Sequence, residues 1–221
     1  MAFFSGQKKP RAIPSGVVSR EGAMALSLVA TAVGLVAALA VSRRHFMLAV
    51  TFAALLALYN HRLKHVAVVG NLICSVAVAA TLVFGGLTFG VNTTVVVAAT
   101  FALLTMLARE IVKDLEDVVG DVSAGSRTLP VVAGSGWARA VALGVIFMII
   151  ATVPLPYIAF NFSTTYLTVA VVTAGLLLAS AWILADPSQH DDTARYTRAS
   201  LYLKASMVAG LTAILFARLP A

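Results

Sequence analysis

Charge is scarce in this chain: 11% of its 221 residues are Asp, Glu, Lys or Arg, against roughly 25% in an ordinary soluble domain. With 60% hydrophobic residues it cannot cover a globule with polar surface, which excludes a water-soluble fold and points to a bilayer. Cysteine is nearly absent too. The single Cys74 lies in an apolar run, so there is no disulfide framework and no Cys/His metal site, and it reads as a small packing residue. The opening MAFFSGQKKPRAIPSG puts its charges behind a very short apolar start, the reverse of a signal peptide, and reads as a cytoplasmic lead-in. No low-complexity tract or linker divides the rest of the chain, so residues 1–221 read as a single transmembrane domain.

What is there is apolar sequence in seven runs, near 21–42, 45–60, 70–89, 93–113, 138–159, 164–185 and 199–218. A helical span needs about 20 such residues. The runs are Ala, Val and Leu with scattered Gly and Thr, which suits close helix packing in lipid better than the alternation of a membrane barrel. The expected fold class is therefore all-α, a polytopic transmembrane helical bundle. Threading the seven runs back and forth puts Lys8, Lys9, Arg11, Arg20, Arg62, Lys64, Arg109, Lys113, Arg127, Arg139, Arg195, Arg198 and Lys204 on one side. Only Arg43, Arg44 and Arg218 fall opposite. That asymmetry marks the first side as cytoplasmic, in a multi-pass protein of the cell (plasma) membrane. Basic loops beside anionic lipid account for the net charge of +7, and no nucleic-acid partner is called for.

Acids are the scarcest charge, nine in all, and five of them stand in REIVKDLEDVVGD at 109–121. On a helix Glu110, Asp114, Asp117 and Asp121 fall at i, i+4, i+7 and i+11 and share one face, while Glu116 points elsewhere. Like charges at that spacing destabilise an isolated helix by about 0.2 to 0.5 kcal/mol per pair, so the stripe calls for a cationic partner. Acids near a membrane are a functional hypothesis by default. After the stripe, Gly120 and Gly125 allow tight turns and Pro130 forbids simple continuation of the helix. Between the second and third runs lies YNHRLKHVAVVGN, residues 59–71, a basic loop on the same side. One loop thus offers carboxylates and another Lys and Arg, a combination suited to a metal-bridged diphosphate.

Other features have plainer readings. His61 and His65 sit at i and i+4 without a third ligand and read as boundary residues; Asn71 reads as a helix cap, Gly85 and Gly86 as close packing, and Trp137 as an interfacial anchor. Asp191 and Asp192 have no carboxylate partner and no assigned chemistry.

KDLEDVVGDVSAGSRTLPV resembles the second aspartate-rich motif of the UbiA-type intramembrane prenyltransferases, with Asp114, Asp117, Gly120, Asp121, Gly125, Thr128, Leu129 and Pro130 matching its pattern. Tyr59 to Lys64, followed by Gly70 and Asn71, is similar to that family's basic loop, and RAIPSGVVSREGA to the segment after its first aspartate motif. LVFGGL and LYLKASMVAGLTAILFA look most like the archaeal-type branch that builds ether lipids.

The resemblance implies Mg²⁺-dependent transfer of a geranylgeranyl group from a prenyl diphosphate to a glycerol-phosphate lipid. Asp117 and Asp121 would be the principal metal ligands, and Asp114 a third or outer acid. Lys64, with Arg62, Lys113 and Arg127, would meet the leaving diphosphate, and Tyr59 and Asn71 would line the substrate pocket. Asp117, Asp121 and Lys64 are the expected catalytic groups. Val122 and Ser123 stand where the family often has a basic residue. The family also has nine spans and an N-D-x-x-D motif between the second and third, which this sequence lacks. RAIP at 11–14 and RTLP at 127–130 read as echoes in two halves of a repeat, only the second preceded by acids. The expectation is a chain without its first two spans and first acidic motif. Two other readings stand beside this one: an aromatic acceptor such as a quinone precursor or chlorophyllide, and a cation-binding membrane protein that makes no bond.

Overall fold

The computed structural model describes residues 16–63, 66–186 and 193–217, which are almost entirely helical. The helices are α1 (Arg20–Val41), α2 (Arg43–Leu58), α3 (Val69–Phe89), α4 (Thr93–Ser123), α5 (Leu129–Ala133), α6 (Ser135–Thr152), α7 (Leu155–Phe160), α8 (Thr164–Ala185) and α9 (Thr193–Leu215), with a one-turn π-helix at Tyr59–Leu63. Each predicted run falls largely on helix, with 138–159 divided between α6 and α7 and the described part of 199–218 ending in a turn after α9. Among the described residues five stretches are long and apolar enough to cross a membrane: α1, α3, α4, α6 with α7, and α8. Helix α2 has only 16 residues, and α9 carries Arg195, Arg198 and Lys204, so neither joins that set.

The chain divides by its internal packing into two units, meeting at Leu56 and Ala57. In the first, the Ser19 hydroxyl accepts the Gly22 N–H at 3.0 Å and starts α1. Ser42 ends α1 through its backbone N–H to Ala38, and its hydroxyl lies 2.7 Å from Nδ1 of the buried His45. Helix α1 is apolar all round and exposes Met24, Leu28, Val33 and Val36, as a lipid-facing span does.

In the second unit α3 and α4 form a hairpin, closed where the Asn92 side chain accepts the Val95 N–H at 3.1 Å. A Cβ on Gly86 would come within 2.7 Å of Val95, so this glycine does serve close packing; one on Gly85 would meet nothing. Helices α4, α6, α8 and α9 share a core of Ile111, Val112, Ile146, Ile149, Leu177 and Leu203. A smaller cluster of Phe162, Tyr166, Ala170, Ala213 and Ile214 closes the other end. In lipid, packing contacts of this kind drive helix association, because hydrocarbon outside is as apolar as leucine inside.

One buried cation belongs to the frame. Arg195, 1% exposed, donates from Nε to the Ile183 carbonyl at 2.8 Å and from Nη2 to that of Leu184. It satisfies the last carbonyls of α8, where a helix end welcomes positive charge. The sequence offers it only as a boundary charge; its place is inside the fold.

Helix α4 positions the acids. Its 31 residues span about 46 Å, longer than the ~30 Å hydrocarbon layer, so an end must reach beyond it. The predicted span stops at 113, but the helix runs on through the stripe to Ser123, since charge ends hydropathy without ending helix propensity. Gly120 lies inside the helix, contrary to its reading as a turn residue. Gly125, with φ +67°, makes the turn alone, and Pro130 sits in the first turn of α5, where its missing N–H is harmless.

Candidate active site

The acids of α4 are held from several directions. Asn71, in the first turn of α3, donates from Nδ2 to Asp114 Oδ2 at 2.8 Å. Thr128, just before α5, donates from its hydroxyl to Asp121 Oδ2 at 3.0 Å. Arg109 Nη1 meets Glu110 Oε1 at 2.8 Å, a pair only partly exposed. Glu116, pointing the other way, accepts from the Thr197 hydroxyl of α9 at 3.0 Å. Asp117 lies between Asp114 and Asp121, about a turn from each and half-buried. Among the described residues the hydrogen bonds to Asp114 and Asp121 come from neutral donors, which fix each carboxylate in place.

This corrects the reading of Asn71 as a cap. Helix α3 begins at Val69 behind Val68 with no side-chain cap, which leaves the Asn71 amide for Asp114. Tyr59, on the π-helical turn, shares a hydrogen bond with the Cys74 thiol and lies within electrostatic reach of Glu110 and Asp114. The two loops named in the sequence meet, because Val66 pairs with Arg127 in an isolated parallel bridge. Two residues on, Val68 has φ +65°, a left-handed conformation that costs a β-branched residue on the order of 1 to 3 kcal/mol.

Of the expected phosphate contacts, Lys113 and Arg127 are exposed beside the stripe. Lys64 and His65 lie outside the described residues, as does the side chain of Arg62. Sequence reasoning passed over Thr197 and the supporting role of Thr128; the second was legible from its place in the motif, the first from nothing in the pattern.

Among the described residues no three His, Cys, Asp or Glu side chains gather closely enough to hold a metal ion by themselves. The donors are nevertheless hard carboxylate oxygens on one face, a turn apart. Magnesium is commonly bound by one or two carboxylates with waters and substrate phosphates, and the stripe fits an ion shared in that way, not a closed protein cage.

The UbiA prenyltransferase family matches residues 5–206. Digeranylgeranylglyceryl phosphate synthase of Natronomonas pharaonis is 35% identical over 211 residues, covering 95% of this chain and 73% of its own. The enzymes of that name from Methanopyrus kandleri and Thermococcus kodakarensis are 35% and 33% identical, with 93% and 95% of this chain covered and 74% of each relative. A structure solved in a study of digeranylgeranylglyceryl phosphate synthase in membranes superposes with a TM-score of 0.74 at 30% identity, over 95% of this chain and 74% of that one. This helical, multi-pass membrane protein belongs to the UbiA prenyltransferase family and is a prenyltransferase.

Proposed function

We propose that the chain transfers a geranylgeranyl group from its diphosphate to a glycerol-phosphate ether lipid, at a cytoplasm-facing site in the cell membrane. The observation that carries this is the acidic face of α4, with Asp114 and Asp121 fixed by Asn71 and Thr128 and Asp117 between them. The acceptor rests on the relatives, which bear the synthase name over most of this chain. Residues 1–221 are read as one prenyltransferase domain, since the family match crosses both packing units.

Members of this family generally use divalent metal ions, and here Asp117 and Asp121, with Asp114 behind them, would hold Mg²⁺. The bound metal would supply positive charge for the leaving diphosphate. Asn71 and Thr128 keep two carboxylates oriented before any substrate arrives, so little reorganisation is needed when charge develops. Lys113 and Arg127, exposed at the same end, meet the outer phosphate oxygens, with Arg62 and Lys64 joining from the loop that Val66 ties to Arg127. Tyr59 and Asn71 form the pocket wall toward α3. As the bond from the first prenyl carbon to the diphosphate oxygen breaks, the electron pair leaves with diphosphate, the acceptor hydroxyl oxygen bonds to that carbon, and the hydroxyl proton is lost to the departing diphosphate or to water.

The test supplies labelled geranylgeranyl diphosphate and Mg²⁺ to protein in membranes, with either a geranylgeranylglyceryl phosphate or an aromatic acceptor. Product with the glycerol phosphate alone is expected. Product with the aromatic acceptor alone would reassign the substrate, and metal-dependent cation binding without diphosphate binding would overturn the enzymatic reading of the stripe.

A further inference from the structure

A cavity of about 470 Å³ opens inside the second unit, between the first third of α4 and helices α6 to α9. Its origin is local. The run 138–159 does not form one straight helix: with Pro154 and Pro156 in the way, α6 stops at Thr152 and the chain turns into α7, removing the wall a continued α6 would have built. The opposite wall is made of the small residues Ala170, Thr173, Gly210 and Ala213. At Gly210 a Cβ would lie 2.3 Å from the Phe101 ring, so α9 and α4 are already in close contact there and cannot close further.

Apart from the Thr100 hydroxyl, the polar side chains of this wall are already engaged. The Thr152 hydroxyl donates to the Ile149 carbonyl, that of Thr173 to Val169, and the Tyr166 hydroxyl to Val153 at 2.8 Å. Those polar groups are used within the protein, and no charged residue lines the space. The back wall is buried, whereas Met148, Leu155 and Phe160 at the mouth are exposed. In a membrane protein such a mouth meets hydrocarbon. A void of this size left empty would forfeit dispersion contacts all along its lining, and its volume lies in the range of about 300 to 1,000 Å³ usual for ligand pockets.

The cavity is also separate from the acids. Phe101 and Asp117 are 16 positions apart, about 24 Å along the helix, and the two faces differ by about 100° around its axis. Between them the fully packed Ala108, Ile111, Val112 and Leu115 close the interior.

We infer that this cavity is a binding site for a lipid hydrocarbon chain, entered sideways from the bilayer and distinct from the diphosphate-facing side of α4. The ligand class is a long apolar chain held by shape alone. It is either a branched isoprenoid or a straight alkyl chain, which share that chemistry.

The test photolabels the protein in lipid nanodiscs with two diazirine probes of matched length, geranylgeraniol and a straight-chain alcohol, and maps the adducts by mass spectrometry. Adducts are expected on peptides carrying residues 148–160 and 166–173, and they should fall severalfold in Ala170→Phe. Since a phenylalanine in the back wall risks misfolding, Thr152→Trp at the mouth is the second variant and should show the same loss. A preference for the branched probe assigns an isoprenoid, and equal labelling assigns membrane lipid chains in general; both support the site. Labelling that is abolished by Asp117→Asn or by excess geranylgeranyl diphosphate would make the cavity part of the diphosphate site. Labelling spread evenly over the helices and unchanged in Thr152→Trp would show that no site exists. Either result overturns the inference.

Discussion

Residues 110–121 and residues 96–104 belong to the same helix, yet ligands would meet them on opposite terms. At the acidic end two carboxylates are fixed by donors from other elements, so the site is defined by what is present and by its support. At the apolar end the hydroxyls of Thr152 and Tyr166 are tied to backbone carbonyls, and a proline break and small residues define the site by what is missing. The difference teaches that side-chain identity announces a charged site, while a hydrocarbon site is announced only by packing.

The comparison breaks most readily at Asp117 and Asp121. Asp117→Asn and Asp121→Asn should each lower Mg²⁺-dependent transfer on the order of 10²-fold or more, by analogy with losing a group that stabilises developing charge. Chain photolabelling and protein abundance should hold, since removing one of several repelling carboxylates does not weaken the helix. Asp191→Asn is the control and should retain activity. Equal activity in all three would sink the assignment of the stripe.

A smaller loss sharpens the role of the supports. Asn71→Ala and Thr128→Val should weaken the apparent Mg²⁺ affinity about 10- to 100-fold, as loss of an outer hydrogen bond to a ligand does, with Thr128→Ser largely restoring it. A Mg²⁺ titration of donor binding reads this directly, and unchanged midpoints would mean the two hydrogen bonds serve the fold only.

Lys64→Ala comes next. Donor binding should weaken about tenfold, roughly 1.4 kcal/mol, while Lys9→Ala should change little. The same loss in both would make the loop an ordinary membrane boundary. Smallest is Tyr59→Phe, which removes the hydroxyl that meets Cys74 and should cost about 0.5 to 1.5 kcal/mol of stability in detergent unfolding.

How much of this could be read in advance depends on the same divide. The run 164–185 became α8 end to end, because apolar length alone decides a span. The acidic face came from a 3.6-residue period, and Val66 beside Arg127 bears out the meeting of two loops. Asn71 was misread because its partner Asp114 stands 43 positions away, beyond any local pattern. Arg195 looked like a boundary marker because nothing in its neighbourhood announces the carbonyls it would reach. The cavity went unread because Pro154 and Pro156 fall inside an apolar run, where composition conceals the break.

The α3–α4 hairpin works as a measuring rod. Its tight end, where Gly86 admits Val95, fixes how far one helix is slid along the other; about 22 Å away, the same offset sets Asn71 against Asp114. The charges themselves do not choose that offset, because a slip of one turn would offer the amide Glu110 or Asp117 instead. Steric fit at the other end of the hairpin therefore decides which rung of the acidic ladder is occupied. Widening the contact by Gly86→Leu should retune the enzyme's metal response from a distance, without touching a single polar atom.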